Sequence, residues 1–393
     1  MKNKQIYLDY AATTPLDPRV LRVMLPYFTE KFGNTMSFHS FGQEAKAALE
    51  ESRQGIADFI GAEPNEIIFT GSATESNNLA LKGVAFANQN KEKPASPAGG
   101  HIIISPIEHD CVLESAKWLA SGGFKITQLP VDKYGLINPL EVEKAIRPET
   151  ILVSIIHASN EIGTIQPIKE IGEICKVKGV LFHIDASQSF GKVPINVKAM
   201  NIDLLTASSH KIYGPKGAAL LFVRKRVKIL PILHGGGHES GLRSSTINVP
   251  AIVGFAKAAE IYKKEGKKEA QNLTRLRNKL IAGVLKKIPG SYLNGHPKIR
   301  LSNNVNLRFD KVEGESIVIQ LDLLGVAAAT GSACSSAKLE PSHVLLALGL
   351  KPEEAHGSLR LSLGRFTKES DINFVLKVLP EIIKNLRKIS PFK

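Results

Sequence analysis

The stretch VLFHIDASQS (Val180–Ser189), followed by DLLTASSHKIYGPKG (Asp203–Gly217), decides the reading of this chain. Each half stays apolar for about five residues and then turns polar, the pattern of a strand buried on both faces that ends in a loop. Working outward, similar apolar runs begin at Glu66 (EIIFT), His101 (HIIIS), Phe124 (FKITQL), Ile151 (ILVSII) and Ala218 (AALLFV). Between them lie helix-like stretches such as NNLALKGVAFANQN (77–90) and IKEIGEICKVKG (168–179), the latter ending on a glycine suited to a left-handed cap. The alternation implies an α/β fold with a mostly parallel sheet covered by helices. In such sheets ligands lie beyond the carboxyl ends of the strands, so polar residues just after these runs are the ones to examine.

The remaining sequence bounds the answer. At 393 residues the chain exceeds one small module, and 43% hydrophobic with 22% charged residues excludes disordered, collagenous and coiled-coil classes. No run approaches about 20 apolar residues, and MKNKQIYLDYAATTP lacks the features of a secretory signal, so a cytoplasmic protein without a membrane span is expected. Three cysteines, with no CxxC or Cys/His ligand spacing, leave no expectation of a disulfide framework or a metal site. The net charge of +14 attracts polyanions. Much of the excess lies in Ile261–Lys287, where Leu273, Leu276, Leu280, Val284 and Ile288 recur at helical spacing. A solvated helix explains it, and no nucleic-acid recognition motif accompanies the charge, so no direct nucleic-acid partner is expected.

KEKPASPAGG (91–100) reads as an exposed loop. From Pro250 a helical region begins, followed by NNVNLRF, ESIVIQLDLLG and helices around HVLLALGL and INFVLKVLPEIIKNL, which together suggest a smaller α+β domain. No internal repeat is present.

Several strand ends carry chemistry. Ser208, Ser209 and His210 could hold a phosphate beside Lys211, a lysine able to form a Schiff base. Asp185 at a buried strand end suits a protonated pyridine nitrogen; a capping Asp and an exposed Lys are the plainer alternative. FTGSATESNN (69–78) reads as a strand turning into a helix N-terminus, where Thr74 and nearby amides could bind an anion, or Thr74 could simply cap the helix. His109 follows HIIIS and could cover a flat cofactor; Asn160 follows ILVSII. HGGGHESGLRSST (234–246) supplies three consecutive glycines, which could let the backbone approach a ligand or a neighbouring subunit closely, with Arg243 and Thr246 beyond them; a plain loop is the alternative. In ATGSACSSAKLEPSHVL (329–345), Cys334 sits among small residues on what reads as a mobile loop, a setting for a nucleophilic thiol, whereas Cys111 and Cys175 look structural. SLRLSLGRF (358–366) offers Arg360 and Arg365, suited to clamping a carboxylate.

Taken in order from YLDYAATTP through FTGSATESNN, HASNEIG, HIDASQS, SSHKIYGPKG, HGGGHE and TGSACSSAKLEPSHVL to SLRLSLGRFT, the chain resembles a cysteine desulfurase of the pyridoxal-phosphate-dependent class V aminotransferase family, of the nitrogen-fixation and housekeeping iron-sulfur type. The resemblance implies fold type I, with residues 15–255 as a large cofactor-binding domain. Residues 1–14 and 256–393 would form a small domain carrying the catalytic cysteine loop at about 328–342. It implies pyridoxal 5'-phosphate on Lys211, with Asp185 at the pyridine nitrogen, Gln188 at the ring hydroxyl and His109 over the ring. Ala73, Thr74, Ser208, Ser209 and His210 would bind the phosphate, and Thr246 would reach the phosphate of the neighbouring subunit in a homodimer. Asn160 and Arg360 would surround the substrate amino acid. Lys211, His109 and Cys334 would be catalytic, turning L-cysteine into L-alanine and a persulfide on Cys334. That sulfur would pass to an iron-sulfur scaffold or another acceptor protein, or toward products such as thiolated tRNA. The alternatives are a selenocysteine lyase or another class V lyase or aminotransferase, and a basic RNA- or protein-binding homologue without turnover. The chain departs from the family pattern at Asn34-Thr35-Met36-Ser37, where Asn-Pro-Ser-Ser is common, at the order Gly71-Ser72 and at Ser245. It ends at ISPFK, short of the tail with which housekeeping members dock a scaffold.

Overall fold

The computed structural model describes residues 5–88, 99–331 and 341–390. All seven apolar runs become strands of one sheet, in the order Ile67–Thr70, Ala219–Val223, Leu204–Ser208, Leu181–Asp185, Thr150–Ile156, Gly99–Ile104, Phe124–Gln128. Ala219–Val223 runs antiparallel to both neighbours, and the other pairings are parallel. Two antiparallel contacts restore the direction, so Ile67–Thr70 points the same way as Leu181–Asp185 and delivers its end to the same edge. The period of two sorts the side chains onto two faces. Ile103, Val153, Phe182 and Leu205 pack with Ile56, Ile60 and Phe255 of helices Ser40–Ile60 and Val249–Lys287. Ile102, Ile104, Leu152 and Leu204 pack on the other side with Leu79 and Val84 of helix Ala73–Ala87 and Val112 and Leu119 of helix Asp110–Ser121.

Helix Ala73–Ala87 begins four residues before the apolar stretch because the Ser72 hydroxyl accepts the Glu75 amide as its cap. Helix Ile168–Lys178 ends at Gly179 with φ of 70°, the left-handed cap its sequence called for. The strand Gly99–Ile104 starts inside the segment read as a loop, whose residues 91–98 lie outside the described part. The Asn34-Thr35-Met36-Ser37 departure closes without proline: Asn34 Oδ1 accepts the Met36 amide and the Asn34 carbonyl accepts the Ser37 amide, an Asx-type turn.

A second core lies around the antiparallel sheet Ser358–Ser362, Asn304–Phe309, Ser291–Leu293. Leu273, Leu276, Leu280 and Val284 from the distal half of helix Val249–Lys287 meet Ile372, Val375, Leu379 and Ile383 of helix Glu369–Ile389 there. The apolar positions of the lysine-rich segment are therefore core, while its charges face outward. Ile6–Tyr7 pairs parallel with Val326–Ala327, placing the following Ala11–Ala12 segment between this core and the large sheet's strand ends.

Candidate active site

A cavity of about 380 Å³ opens at the carboxyl ends of the large sheet. Lys211, in a single turn Ser209–Lys211 after the strand Leu204–Ser208, points its ammonium at the Ala11 and Ala12 carbonyls, at 2.6 and 2.7 Å. Burial, reinforced by the neighbouring positive charges of Lys192 and Arg360, pushes this amine down to about 7, so a large fraction is an unprotonated nucleophile at neutral pH. His210 beside it is held neutral by burial, pushed down to about 4, with its Nδ1 3.0 Å from the Thr13 hydroxyl.

Asp185 ends its strand with one carboxylate oxygen accepting the Ser187 amide at 2.8 Å and the other accepting Asn77 Nδ2 at 2.8 Å. Gln188 lines the same wall and donates to the Ala11 carbonyl at 2.8 Å. His109 is the N-cap of helix Asp110–Ser121: its Nδ1 accepts the Cys111 amide at 3.2 Å, which leaves the neutral ring's proton on Nε2.

At the other end, the turn Gly71–Ser72 leads into helix Ala73–Ala87. The first amides of a helix lack intrahelical partners. Ser72 takes that of Glu75, which leaves those of Ala73 and Thr74 for an anion at the positive end of the helix. Arg243 fixes this turn indirectly, donating Nε to Glu75 Oε1 at 2.6 Å while Glu75 Oε2 accepts the Gly71 amide. A Cβ at Gly71 would sit 3.0 Å from that carboxylate, so Glu75 would have to give way by a few tenths of an ångström. Ser208 and His210 line the cavity with them.

Arg360, 1% exposed, lines the cavity wall. Its Nη2 donates to Asp9 at 2.9 Å and Nη1 to the Asn160 carbonyl at 3.3 Å, while Nε is buried with no hydrogen-bond partner among the described residues. Asn160 lines the cavity as well.

Three sequence readings change here. Arg365 is spent elsewhere: it pairs with Asp17 and Glu269 and lies 4.4 Å over the Tyr213 ring, so it clamps no ligand. Ser209, one residue past Ser208, is buried with its hydroxyl against Gly214 and does not line the cavity. Cys111 is not a purely structural thiol, because the first turn of its helix brings Sγ into the cavity wall, 3.1 Å from His109 Nδ1. Thr246 is exposed and away from the cavity. Cys334 lies outside the described residues. Sequence reasoning missed the Ala11 and Ala12 carbonyls, which carry no side-chain signal, and Asn77, which reads as ordinary helix interior.

A lowered-pKa lysine, a carboxylate on the wall, an imidazole nearby and a capped helix N-terminus for an anion together define an enzyme site built for an aldehyde-bearing, phosphorylated pyridine. The donor set fits pyridoxal phosphate from end to end. The family model for aminotransferase class-V matches residues 6–375, and the chain belongs to that family, whose cofactor is pyridoxal 5'-phosphate. Among its relatives, the cysteine desulfurase IscS of Methanosarcina thermophila is 53% identical over 390 residues, covering 99% of this chain and 95% of the relative. The cysteine desulfurase IscS 1 of Archaeoglobus fulgidus is 54% identical over 385 residues, covering 98% of each. Among solved structures, a NifS-like protein superposes with a TM-score of 0.90 at 38% identity, covering 98% of this chain and all of the other. The apo cysteine desulfurase of Thermococcus onnurineus NA1 gives 0.86 at 26% identity, covering 97% of this chain and 95% of the other. Among the described residues no helix is long and apolar enough to cross a membrane.

Proposed function

We infer that this enzyme is a cysteine desulfurase: with pyridoxal phosphate bound it converts L-cysteine to L-alanine and leaves the sulfur as a persulfide on Cys334. The observation that carries the reading is the depressed, doubly anchored Lys211 amine sharing one cavity with Asp185, His109 and Arg360. Full-length identity to cysteine desulfurases supports the substrate.

The residues divide the work. Lys211 would hold the cofactor, Asp185 would face its ring nitrogen, Gln188 its ring hydroxyl, and Ala73, Thr74, Ser208 and His210 its phosphate. When bound, the cofactor supplies an electron sink for the bonds broken in the substrate. Arg360 holds the substrate carboxylate with the fork that Asp9 and the Asn160 carbonyl orient. Lys211, with a pKa near 7, takes and returns protons at the substrate's reacting carbons. His109, capped on Nδ1, presents the Nε2 proton to the same space. The Cys334 thiolate attacks the substrate sulfur: an S–S bond forms, the C–S bond breaks, and the carbon skeleton gains the proton that completes alanine. The persulfide then passes to an acceptor protein, of which an iron-sulfur scaffold is one.

Two further readings belong here. The chain divides into a large unit, 15–255, and a small one made of 1–14 and 256–393, supported by the separate apolar cores. Ala258, Ile261 and Tyr262 still pack on the larger core, so the division runs along helix Val249–Lys287. The active form is a homodimer: Phe28, Phe32, Met36, Phe38 and Phe41 all expose apolar side chains near one another in sequence, and Thr246 does not line the cavity of its own chain.

The test is to load the protein with pyridoxal phosphate, add L-cysteine, and assay alanine and sulfide. Lys211→Ala is expected to abolish both the visible cofactor band and turnover, and Cys334→Ala to keep the band and lose turnover. Alanine release that survives Cys334→Ala would overturn the desulfurase reading.

A further inference from the structure

Asn77 is fully buried on helix Ala73–Ala87, and nothing above gives it a task. Its amide nitrogen lies 2.8 Å from Asp185 Oδ2 and 3.1 Å from Cys111 Sγ. A side-chain amide carries two N–H groups, so both are spent, and the reversed amide would set its oxygen against a carboxylate. Cys111 Sγ in turn lies 3.1 Å from His109 Nδ1. Burial, with Asp185 close by, pushes this thiol up to about 12, so it keeps its hydrogen at neutral pH. Asn77 donates to Asp185 and to the Cys111 sulfur, which the Thr74 side chain also reaches, and the Cys111 S–H faces the same His109 nitrogen that accepts the Cys111 amide, where the two share one lone pair. The remaining atom, Asn77 Oδ1, is buried with no partner among the described residues. A buried unpaired amide oxygen is costly, and leucine would fill this helix position without that cost. What the amide supplies in exchange is its pair of bonds.

We propose that Asn77 is a positioning residue that sets the Asp185 carboxylate and, through the Cys111 thiol, the His109 imidazole for the two faces they present to the cofactor ring. The proposal rests on the pyridoxal-phosphate reading above. It treats Asp185 and His109 as one connected unit: a shift of Asn77 moves the group at the ring nitrogen and the group over the ring together.

The experiment compares wild type with Asn77→Ala, Asn77→Leu, Cys111→Ser and Cys111→Ala. The cofactor dissociation constant and the pH midpoint of the visible band are measured on refilled protein, and the ¹⁵N shifts of the His109 ring on the apoprotein. Loss of a hydrogen bond to a charged group predicts about tenfold weaker cofactor binding in both Asn77 variants, with a displaced pH midpoint. Cys111→Ala keeps the Asn77–Asp185 bond, so it weakens binding less than Asn77→Ala does, yet it shifts the His109 Nδ1 signal; Cys111→Ser, which keeps a donor, stays closer to wild type in both. Asn77→Leu with wild-type affinity and an unmoved midpoint would overturn the role at Asp185. If neither Asn77 variant folds, the cysteine variants decide, because His109 signals that ignore Cys111→Ala overturn the link to the imidazole. A wild-type protein that takes up no pyridoxal phosphate overturns the cofactor reading, and this proposal with it.

Discussion

The wall of the cavity at the strand ends and the core around Leu280 and Leu307 both bury side chains, and they use burial in opposite ways. Around Leu280, Leu307, Leu361 and Leu379, side chains are apolar and fully enclosed, and burial is itself the stabilising term. In the cavity wall, burial acts against the groups it encloses: it holds Lys211 near 7, Cys111 near 12 and His210 near 4, and it leaves Arg360 Nε and Asn77 Oδ1 without a hydrogen-bond partner among the described residues. One region converts lost water into stability; the other spends stability to free the Lys211 amine of a proton that it would keep in water. The same chain can carry both because the first supports the second: the small core anchors Ile6–Tyr7 and the strand bearing Arg360, and through them Ala11, Ala12 and the substrate side of the cavity.

That contrast can be broken most forcefully in the apolar core. Leu307→Ala removes a fully buried side chain and is expected to lower unfolding free energy by about 2–5 kcal/mol, read from urea melts, with the cofactor band of the folded fraction intact. A variant that stays stable but loses the band would show the two regions to be less separable than their contacts suggest. A smaller effect sharpens the cavity side. Since the Lys211 amine must lose its proton to react, and its pKa is lowered to about 7, cofactor uptake by apoprotein should rise about tenfold between pH 6 and 8 and then level off. Uptake still climbing toward pH 10 would mean that the amine is no more acidic than an ordinary lysine. The mildest change is in the turn at 71–74, proposed to hold the phosphate: Arg243→Ala, which frees Glu75 at a partly exposed ion pair, should weaken cofactor binding several-fold in equilibrium titrations and leave the melting temperature nearly unchanged.

The seven strands were legible because each is a short apolar run between turn signals, and the rule that ligands sit at strand ends located Asp185, Ser208, Lys211, Asn160 and His109 without any contact information. What the sequence hid has physical reasons. Ser208 and Ser209 are neighbours, but only one of them faces the cavity as the strand gives way to the turn, and a string of letters does not say which. Arg360 and Arg365 look alike, yet the first sits on a strand paired to Asn306 and the second beyond it, beside Asp17 and Glu269. Asn77 and Cys111 belong to helices whose other buried positions are apolar or small, so periodicity assigns them to packing. The Lys211 anchors are backbone oxygens, for which no residue type is diagnostic.

The reversed strand Ala219–Val223 carries a further consequence, in the order of synthesis. Among the described strands, Ile67–Thr70 has it as its one partner in the large sheet, through pairs such as Ile68 with Leu221. The turn at 71–74 therefore leaves the ribosome roughly 150 residues before the strand that pairs with the strand leading into it, about ten to thirty seconds at ordinary elongation rates. Ile6–Tyr7, whose partner is Val326–Ala327, waits longer still. Until then the apolar strand Ile67–Thr70 lacks its sheet partner, although helix Ala73–Ala87 can already pack on helix Asp110–Ser121. Nascent chains stalled before residue 217 should accordingly leave the amides of 67–70 open to hydrogen exchange, and those stalled well past residue 223 should protect them. The active site is among the first parts of this protein to be translated and among the last to be assembled.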